Sequence, residues 1–419
     1  MNAPTFPESK LTMKRHRLFV LLAVLLLSLA ARAESLSAIF TNAAPAATTA
    51  MPRRANIILI QADGLGYGDL SCYGQTKFST PNLDKLAAEG VRFTNYYAGD
   101  AESSPARAAL LLGKDAGHLK QRADVDVPLT AEETTVAQLL KQSGYHTGLI
   151  GEWNLGGEGT SGAPWNKGFD EFAGYLNAAD AENYYADYIW RYAPKSIVNP
   201  ANNQIEDFIG KEMIYPNTGG NRGQYIPDLY TKAALNFAVN NQPDAFNRYR
   251  PFFLLVNYVT PRANAAEARR TGNGMQVPSD APFSGEAWPQ PEKNKAAMIA
   301  RLDGDIGKLV EQLQKLNQSS NTVVFFSSAG IAKAGGGVDP KFFSSNVASN
   351  DLRVPMIANW PGTIPPGRVS KLKWSALDFA PTALQIAHVK PAASFTGISI
   401  LPTLLGQPGT TTNIVPHIY

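Results

Sequence analysis

Residues 56–62 read Asn-Ile-Ile-Leu-Ile-Gln-Ala and end on Asp63. A near-continuous apolar run of that length, rich in β-branched residues, reads as a strand buried on both faces. The pattern recurs. Residues 91–97, 146–150, 251–259, 321–327 and 353–358 read as further strands. Helical stretches alternate with them at 82–89, 106–112, 132–143, 229–241, 294–317 and 377–387. Two show clear amphipathic spacing: Val136, Leu139 and Leu140 in one, and Met298, Leu302, Ile306, Leu309 and Leu313 in another. Residues 168–225, rich in aromatics and Asn, predict a less regular region. There are no internal repeats. The alternation predicts an α/β fold with a mostly parallel central sheet and helices on both faces. Sites in such sheets gather beyond the carboxyl ends of the strands, which marks Asp63.

A second stretch carries more specific chemistry. Ser103-Ser104-Pro105-Ala106-Arg107 runs into an Ala/Leu segment ending at Gly113-Lys114. It predicts a helix capped by Ser103 or Ser104, with Pro105 in the first turn. A hydroxyl there sits beside free backbone N–H groups and the positive end of the dipole, a setting that suits an anion. Five residues alone describe a capped, buried helix equally well.

The surrounding motifs decide between these readings. They are Asp63-Gly64-Leu65-Gly66-Tyr67-Gly68-Asp69, Tyr73-Gly74, Thr80-Pro81-Asn82-Leu83-Asp84-Lys85-Leu86 and Val91-Arg92-Phe93-Thr94-Asn95. Together with the serine stretch they resemble the sulfatases of the alkaline-phosphatase-like superfamily, from Asn56 to about Gly406. The resemblance implies that Ser103 matches the Cys or Ser oxidised to formylglycine, whose hydrate attacks sulfate esters. Arg107 matches the arginine that holds that residue. Ala106 departs from the small hydroxyl residue usual at its position.

The resemblance also implies a divalent metal, usually calcium, held by several oxygens. Here the set is depleted. The family's consecutive aspartates after the first strand read Asp63-Gly64, and its later Asp-Asn pair reads Ala329-Gly330. The family's Gly-Lys-Trp-His-Leu-Gly reads Gly151-Glu152-Trp153-Asn154-Leu155-Gly156, so the lysine is an acid and the histidine an amide. The second family histidine, after Pro261, is Arg262, and its last lysine falls near Ser344 or Ser345. None of His16, His118, His146, His388 and His417 matches a family catalytic position. Without its metal, a buried carboxylate needs another partner. Arg262 or Arg107 is therefore expected to pair with Asp63 or Glu152.

The remaining features frame this site. Lys10, Lys14, Arg15 and Arg17 precede an apolar run at 18–29 and Ala31-Arg32-Ala33, which predicts a cleaved signal peptide over 1–33. That apolar run is short for a membrane span, so a secreted or periplasmic protein without stable membrane insertion is expected. Residues 34–54 read as a linker, 55–406 as the α/β domain and 407–419 as a short tail. The family's smaller C-terminal domain is expected to be missing, because the first domain's closing motif, Gly397 to Leu405, lies close to Tyr419. Cys72 is the single cysteine and reads as packing. A net charge of +3 gives no case for nucleic acid. Two functions remain open. One is a pseudoenzyme that needs no cofactor and binds a sulfated or acidic glycan or a protein partner. The other is an active hydrolase using Ser103, directly or as formylglycine, with calcium.

Overall fold

The computed structural model describes residues 54–121, 127–199, 204–243, 250–330, 336–339, 342 and 353–407. Ten strands form one sheet among them: β1 (Asn56–Asp63), β2 (Val91–Tyr97), β3 (His146–Glu152), β4 (Glu171–Tyr175), β5 (Tyr188–Asn199), β6 (Gln204–Met213), β7 (Phe252–Pro261), β8 (Thr322–Ser328), β9 (Met356–Asn359) and β10 (Arg368–Ser375). Their spatial order is β10-β2-β9-β8-β1-β7-β3-β4-β5-β6. The central block β8-β1-β7-β3-β4 is parallel throughout, and β10 runs parallel to β2. β9 runs antiparallel to β2 and β8, and β5 runs antiparallel to β4 and β6. The sheet is thus mostly parallel, as expected.

β1 sits at the centre because both of its faces are apolar. Ile57 and Leu59 point into one core, while Ile58 and Ile60 point into the other. The first core is closed by α2 (Ser103–Leu112), α3 (Val136–Gln142) and α8 (Phe379–Ile386). The second is closed by α1 (Pro81–Ala88), α5 (Ile226–Asn240) and α7 (Gln290–Lys315). Leu302, Ile306, Leu309 and Leu313 of α7 are all buried, as their spacing predicts. Three short helices complete the described set: α4 (Ala178–Ala181), α6 (Ala265–Thr271) and α9 (Leu401–Leu404).

Several expectations need correction. α2 begins at Ser103 itself, and its N-cap is Glu102, which makes no side-chain cap. Neither serine caps the helix, so both hydroxyls lie within the first turn. α3 starts at Val136, four residues after the expected Glu132, because Thr135 and Gln138 form a capping box there. The region expected to be irregular contains β4, β5 and β6. Its last strand has no buried residue and seven exposed ones, which hid it from a search for buried runs. β10 also went unpredicted, since Val369, Lys371 and Lys373 are exposed and break up any buried run. β9 begins at Met356, and Arg353 makes only an isolated bridge to Tyr97. No helix among the described residues is long and apolar enough to cross a membrane. The expected signal peptide and nearly all of the linker and tail lie outside the described residues.

Candidate active site

Four neighbouring parallel strands end at one place. β1 ends on Asp63, β3 ends on Glu152, β7 is followed directly by Arg262, and β8 leads into Ala329-Gly330. Register keeps these ends level: Asp63 lies beside Pro261, and Ala62 beside Ser328. α2 supplies the fifth edge. Ser103 stands at its start and Arg107 one turn later on the same face. The chain order thus scatters these residues, while the sheet gathers them at its carboxyl edge.

Asp63, Arg107, Glu152 and Arg262 form a closed ion-pair quartet. Arg107 Nη2 donates to Asp63 Oδ2 and to Glu152 Oε2, each at 2.9 Å. Arg262 Nη1 donates to Asp63 Oδ2 at 2.7 Å and to Glu152 Oε1 at 3.3 Å, and its Nη2 lies 3.0 Å from Glu152 Oε2. Each arginine therefore touches each carboxylate, which meets the expected pairing. Asp63, Arg107 and Glu152 are buried, and the Arg262 side chain keeps 17% of its surface exposed. Two anions face two cations, so the buried cluster is neutral. Burial works to raise the Glu152 pKa, but the Arg107 and Arg262 guanidiniums reverse this and hold the carboxyl below its ordinary range. Burial likewise opposes the Arg262 charge, yet Glu152, Asp63 and Glu182 hold that guanidinium above its usual pKa.

The other sequence-predicted positions lie around this quartet. Asn154 is buried with φ +55°, a left-handed conformation that Asn tolerates. Its Nδ2 donates to Ser104 Oγ, which ties the turn after β3 to the first turn of α2. Ser103 is buried. Gly330 lies against the centre: a Cβ there would stand 3.2 Å from Asp63 Oδ1 and 3.7 Å from Ser103 Cβ. A Cβ on Gly64 would stand 3.4 Å from Arg262 Cα. Ala329 is buried and donates its N–H to Ala62 O at 2.8 Å. The region near Ser344 and Ser345 lies outside the described residues. His118 bonds Asp115 at 2.8 Å, and His146 bonds Glu171 at 2.6 Å.

Three supporting residues went unread in the sequence. Tyr184 donates its hydroxyl to Arg262 O at 2.6 Å, and Asn257 Nδ2 donates to Glu152 O at 2.9 Å. Glu182 Oε1 lies 3.8 Å from Arg262 Nε. Tyr184 and Glu182 come from the stretch expected to be irregular, where no local pattern marked them. Glu182 also forms one wall of a cavity of about 460 Å³, lined further by Tyr185, Arg222, Asn264, Arg269 and Gln276.

A calcium ion does not fit this donor set. Calcium takes six to eight oxygens. Gly64, Ala329 and Gly330 offer no side-chain oxygen, and both available carboxylates already face two guanidiniums each. A divalent cation placed between them would meet two fixed positive charges. Among the described residues, no group of three or more His, Cys, Asp or Glu side chains is placed to hold a metal.

Comparison with known proteins gives the family and the fold. The Sulfatase family model matches residues 55–389. The chain is 30% identical over 386 residues to N-acetylgalactosamine-6-sulfatase of Canis lupus familiaris, covering 87% of this chain and 69% of that protein. It is 31% identical over 388 residues to Arylsulfatase A of Homo sapiens, covering 86% and 70%. Among solved structures, Ps i-CgsB in complex with k-i-k-neocarrahexaose superposes with a TM-score of 0.66 at 28% identity, covering 84% of this chain and 76% of that one. The phosphonate monoester hydrolase of Agrobacterium radiobacter superposes at 0.55 and 18% identity, a likeness of fold alone. The chain therefore belongs to the sulfatase family and has its alkaline-phosphatase-like fold.

Proposed function

We propose that this chain has lost sulfate-ester hydrolysis and acts by binding, as an exported pseudoenzyme. One observation carries the reading: Arg107 and Arg262 close on Asp63 and Glu152 and take the place of a metal cation. Turnover of a sulfate ester needs charge stabilisation and proton transfer. The residues at the matching positions supply neither. Asn154 is an amide and cannot exchange protons near neutral pH. Glu152 engages both Arg107 and Arg262, which leaves the cluster without net positive charge for an anionic substrate. Ser103 keeps its family position, but the family's lysine and histidine positions carry Glu152, Asn154 and Arg262. Removing one electrostatic stabiliser costs on the order of a hundredfold in rate. Several such losses leave little activity, even where they are not additive.

The chemistry beside the quartet favours an anionic glycan as ligand, sulfated or carboxylated. The adjoining cavity presents the Tyr185 ring, the Asn264 and Gln276 amides, and the Arg222, Arg269 and Arg270 guanidiniums against the Glu182 and Glu267 carboxylates, with Glu267 paired to Arg222 and Arg270. Rings, amides and arginines are the groups that hold acidic sugars. Its volume lies in the usual range for ligand sites. The basic and apolar N-terminal stretch supports export to the periplasm or the exterior.

Calorimetry with calcium on the purified mature chain, paired with an aryl-sulfate assay, tests the loss of activity. The expected result is no binding and no turnover from a protein that melts cooperatively. Tight calcium binding with turnover would overturn the reading and return Ser103 to a nucleophile's role.

A further inference from the structure

β6 is the outer edge of the sheet. Among the described residues it pairs with β5 alone, so one side of its backbone lacks a strand neighbour. Such an edge is a template for another strand. Its protection is partial: Glu206, Asp207, Lys211 and Glu212 lie along it. β6 contains no proline, and the register shift in its pairing with β5 falls between Ala193 and Ile197, on the β5 side. Lys211 lies with its Nζ 3.9 Å from the centre of the Tyr188 ring. It thus leans over its own sheet.

The face carrying the odd-numbered residues of β6 is apolar and open. Ile205 is 64% exposed, and Ile209 and Met213 are each 42% exposed. Lys211 and Asp207 alternate with them on that face, Asp207 accepting from the Tyr192 hydroxyl at 3.1 Å and from the Lys195 N–H at 2.9 Å. The order Ile205, Asp207, Ile209, Lys211, Met213 is its own complement when reversed about Ile209. Two copies running antiparallel, related by a two-fold axis through Ile209, set Ile205 against Met213, Asp207 against Lys211, and Ile209 against Ile209. Apolar meets apolar, and acid meets base twice once Lys211 swings from the Tyr188 ring towards the second copy. The adjacent registers with the same symmetry fail. Centring on Phe208 sets Asp207 against Ile209 and Lys211 against Ile205. Centring on Gly210 sets Asp207 against Met213 and Lys211 against Ile209. On the opposite face, Phe208 meets Gly210, over which each copy's own Phe208 ring already lies, 3.3 Å from a Cβ position there, so the two rings would pack against each other. Glu206 there meets Glu212, whose charge Arg191 already neutralises at 2.9 Å.

We propose that β6 pairs antiparallel with β6 of a second copy of this chain, centred on Ile209, and joins the two sheets into one. The interface is isologous, the commonest form for a homodimer. Cross-strand pairs of this kind each add stability and together fix the register. Nine residues from each copy, Ile205 to Met213, give a ladder of roughly 30 Å at about 3.3 Å per residue.

Sedimentation equilibrium on the mature chain reads the mass, and twice the chain mass is expected. Asp207→Lys and Lys211→Asp each turn both charge pairs into repulsions, so each variant alone is expected to be monomeric. Mixed together, the two restore opposite charges across the axis and are expected to form a heterodimer. Ile209→Cys is expected to give a disulfide-linked dimer under mild oxidation. Residues facing each other across an antiparallel pair stand about 4.5–5.5 Å apart at Cα, within disulfide reach. The parent, whose single cysteine is Cys72, is the control. Melting curves confirm that each variant folds. A parent that stays monomeric up to its solubility limit overturns the proposal. So does a dimer that survives both charge reversals and fails to cross-link at position 209.

Discussion

Replacing Arg262 by Met tests whether a guanidinium has taken the place of a cation. The substitution keeps a long side chain and removes one positive charge. Asp63 Oδ2 loses its 2.7 Å bond and Glu152 Oε1 its 3.3 Å bond, while Arg107 Nη2 is left shared between two carboxylates. The neutral buried cluster becomes a net anion. Breaking a buried pair from one side costs about 3–5 kcal/mol, because a charge stays buried without compensation. In a folded unit of this size the melting entropy makes each kcal/mol worth about 1.4 °C, so the melting temperature should fall by roughly 4–7 °C. Two further measurements give the test its specificity. Adding Glu152→Gln restores neutrality around Asp63 and Arg107, and the double variant should recover most of the loss. Calcium should stabilise Arg262→Met more than the parent, since a ligand at a hundredfold excess over its Kd adds about 2.7 kcal/mol. Differential scanning calorimetry reads all three. An Arg262→Met chain that melts with the parent, or a parent that gains as much from calcium, would refute the idea that the arginine replaces the metal.

Other outcomes follow from the same geometry. Gly330→Asp adds a third carboxylate beside Asp63 Oδ1, where even a Cβ would stand at 3.2 Å. It should destabilise the fold by about 1–3 kcal/mol and create no calcium site while both arginines remain; an unchanged melting temperature would count against the crowding. Glu152 has a depressed folded pKa, so its contribution is present above the unfolded value of about 4.3 and disappears as pH falls through the lower folded value. Acid unfolding should therefore steepen below pH ~4, and Glu152→Gln should flatten that limb. His146 behaves oppositely: burial works to lower its pKa, but bonds to Asp170 and Glu171 raise it overall. Its stabilisation is full below about pH 6.5 and is lost as pH rises through the folded value. His146→Gln should remove that slope in a pH series of urea melts. Burial and the Asp84 charge push the Cys72 thiol up to about 12. The native chain should react slowly with a thiol reagent at pH 8 and the unfolded chain rapidly, and fast native labelling would contradict the packing role.

The parts legible in the sequence were those governed by local burial. β1 could be read from Ile57 to Ile60 because both of its faces meet a helix layer, and a strand buried twice leaves an uninterrupted apolar run. β6 could not. Its inner neighbour is a strand and its faces are half open, so its residues obey pairing with β5 more than any hydrophobic period. The start of α3 was misplaced because a single capping pair, Thr135 with Gln138, outweighs the helix propensity of the preceding acids. Glu182 and Tyr184 were missed for a different reason. Their approach to Arg262 depends on how a loop folds over the sheet edge, and nothing local encodes it.

The quartet was legible through charge, and the reason reaches beyond this chain. A metal centre is a bargain of balance: several oxygens and anions around a cation, with basic groups facing the bound anion. Removing one member leaves its partners buried and unpaired, which costs several kcal/mol. Members of such a set are therefore lost or exchanged together. On the resemblance drawn from the sequence, this chain would have lost acids at Gly64 and Ala329, gained one at Glu152 and gained an arginine at Arg262. Each change alone unbalances the pocket. Taken together they leave Asp63 and Glu152 facing Arg107 and Arg262, a set with no net charge and close contacts between every acid and every base. On the proposed reading, the hydrolytic centre is lost while the sheet edge that carried it stays intact. The same logic supplies a reading rule. Where a family site has shed its metal ligands, an arginine within reach of the surviving carboxylate marks a pocket rebuilt for stability. A bare carboxylate without one marks a pocket that still needs its metal.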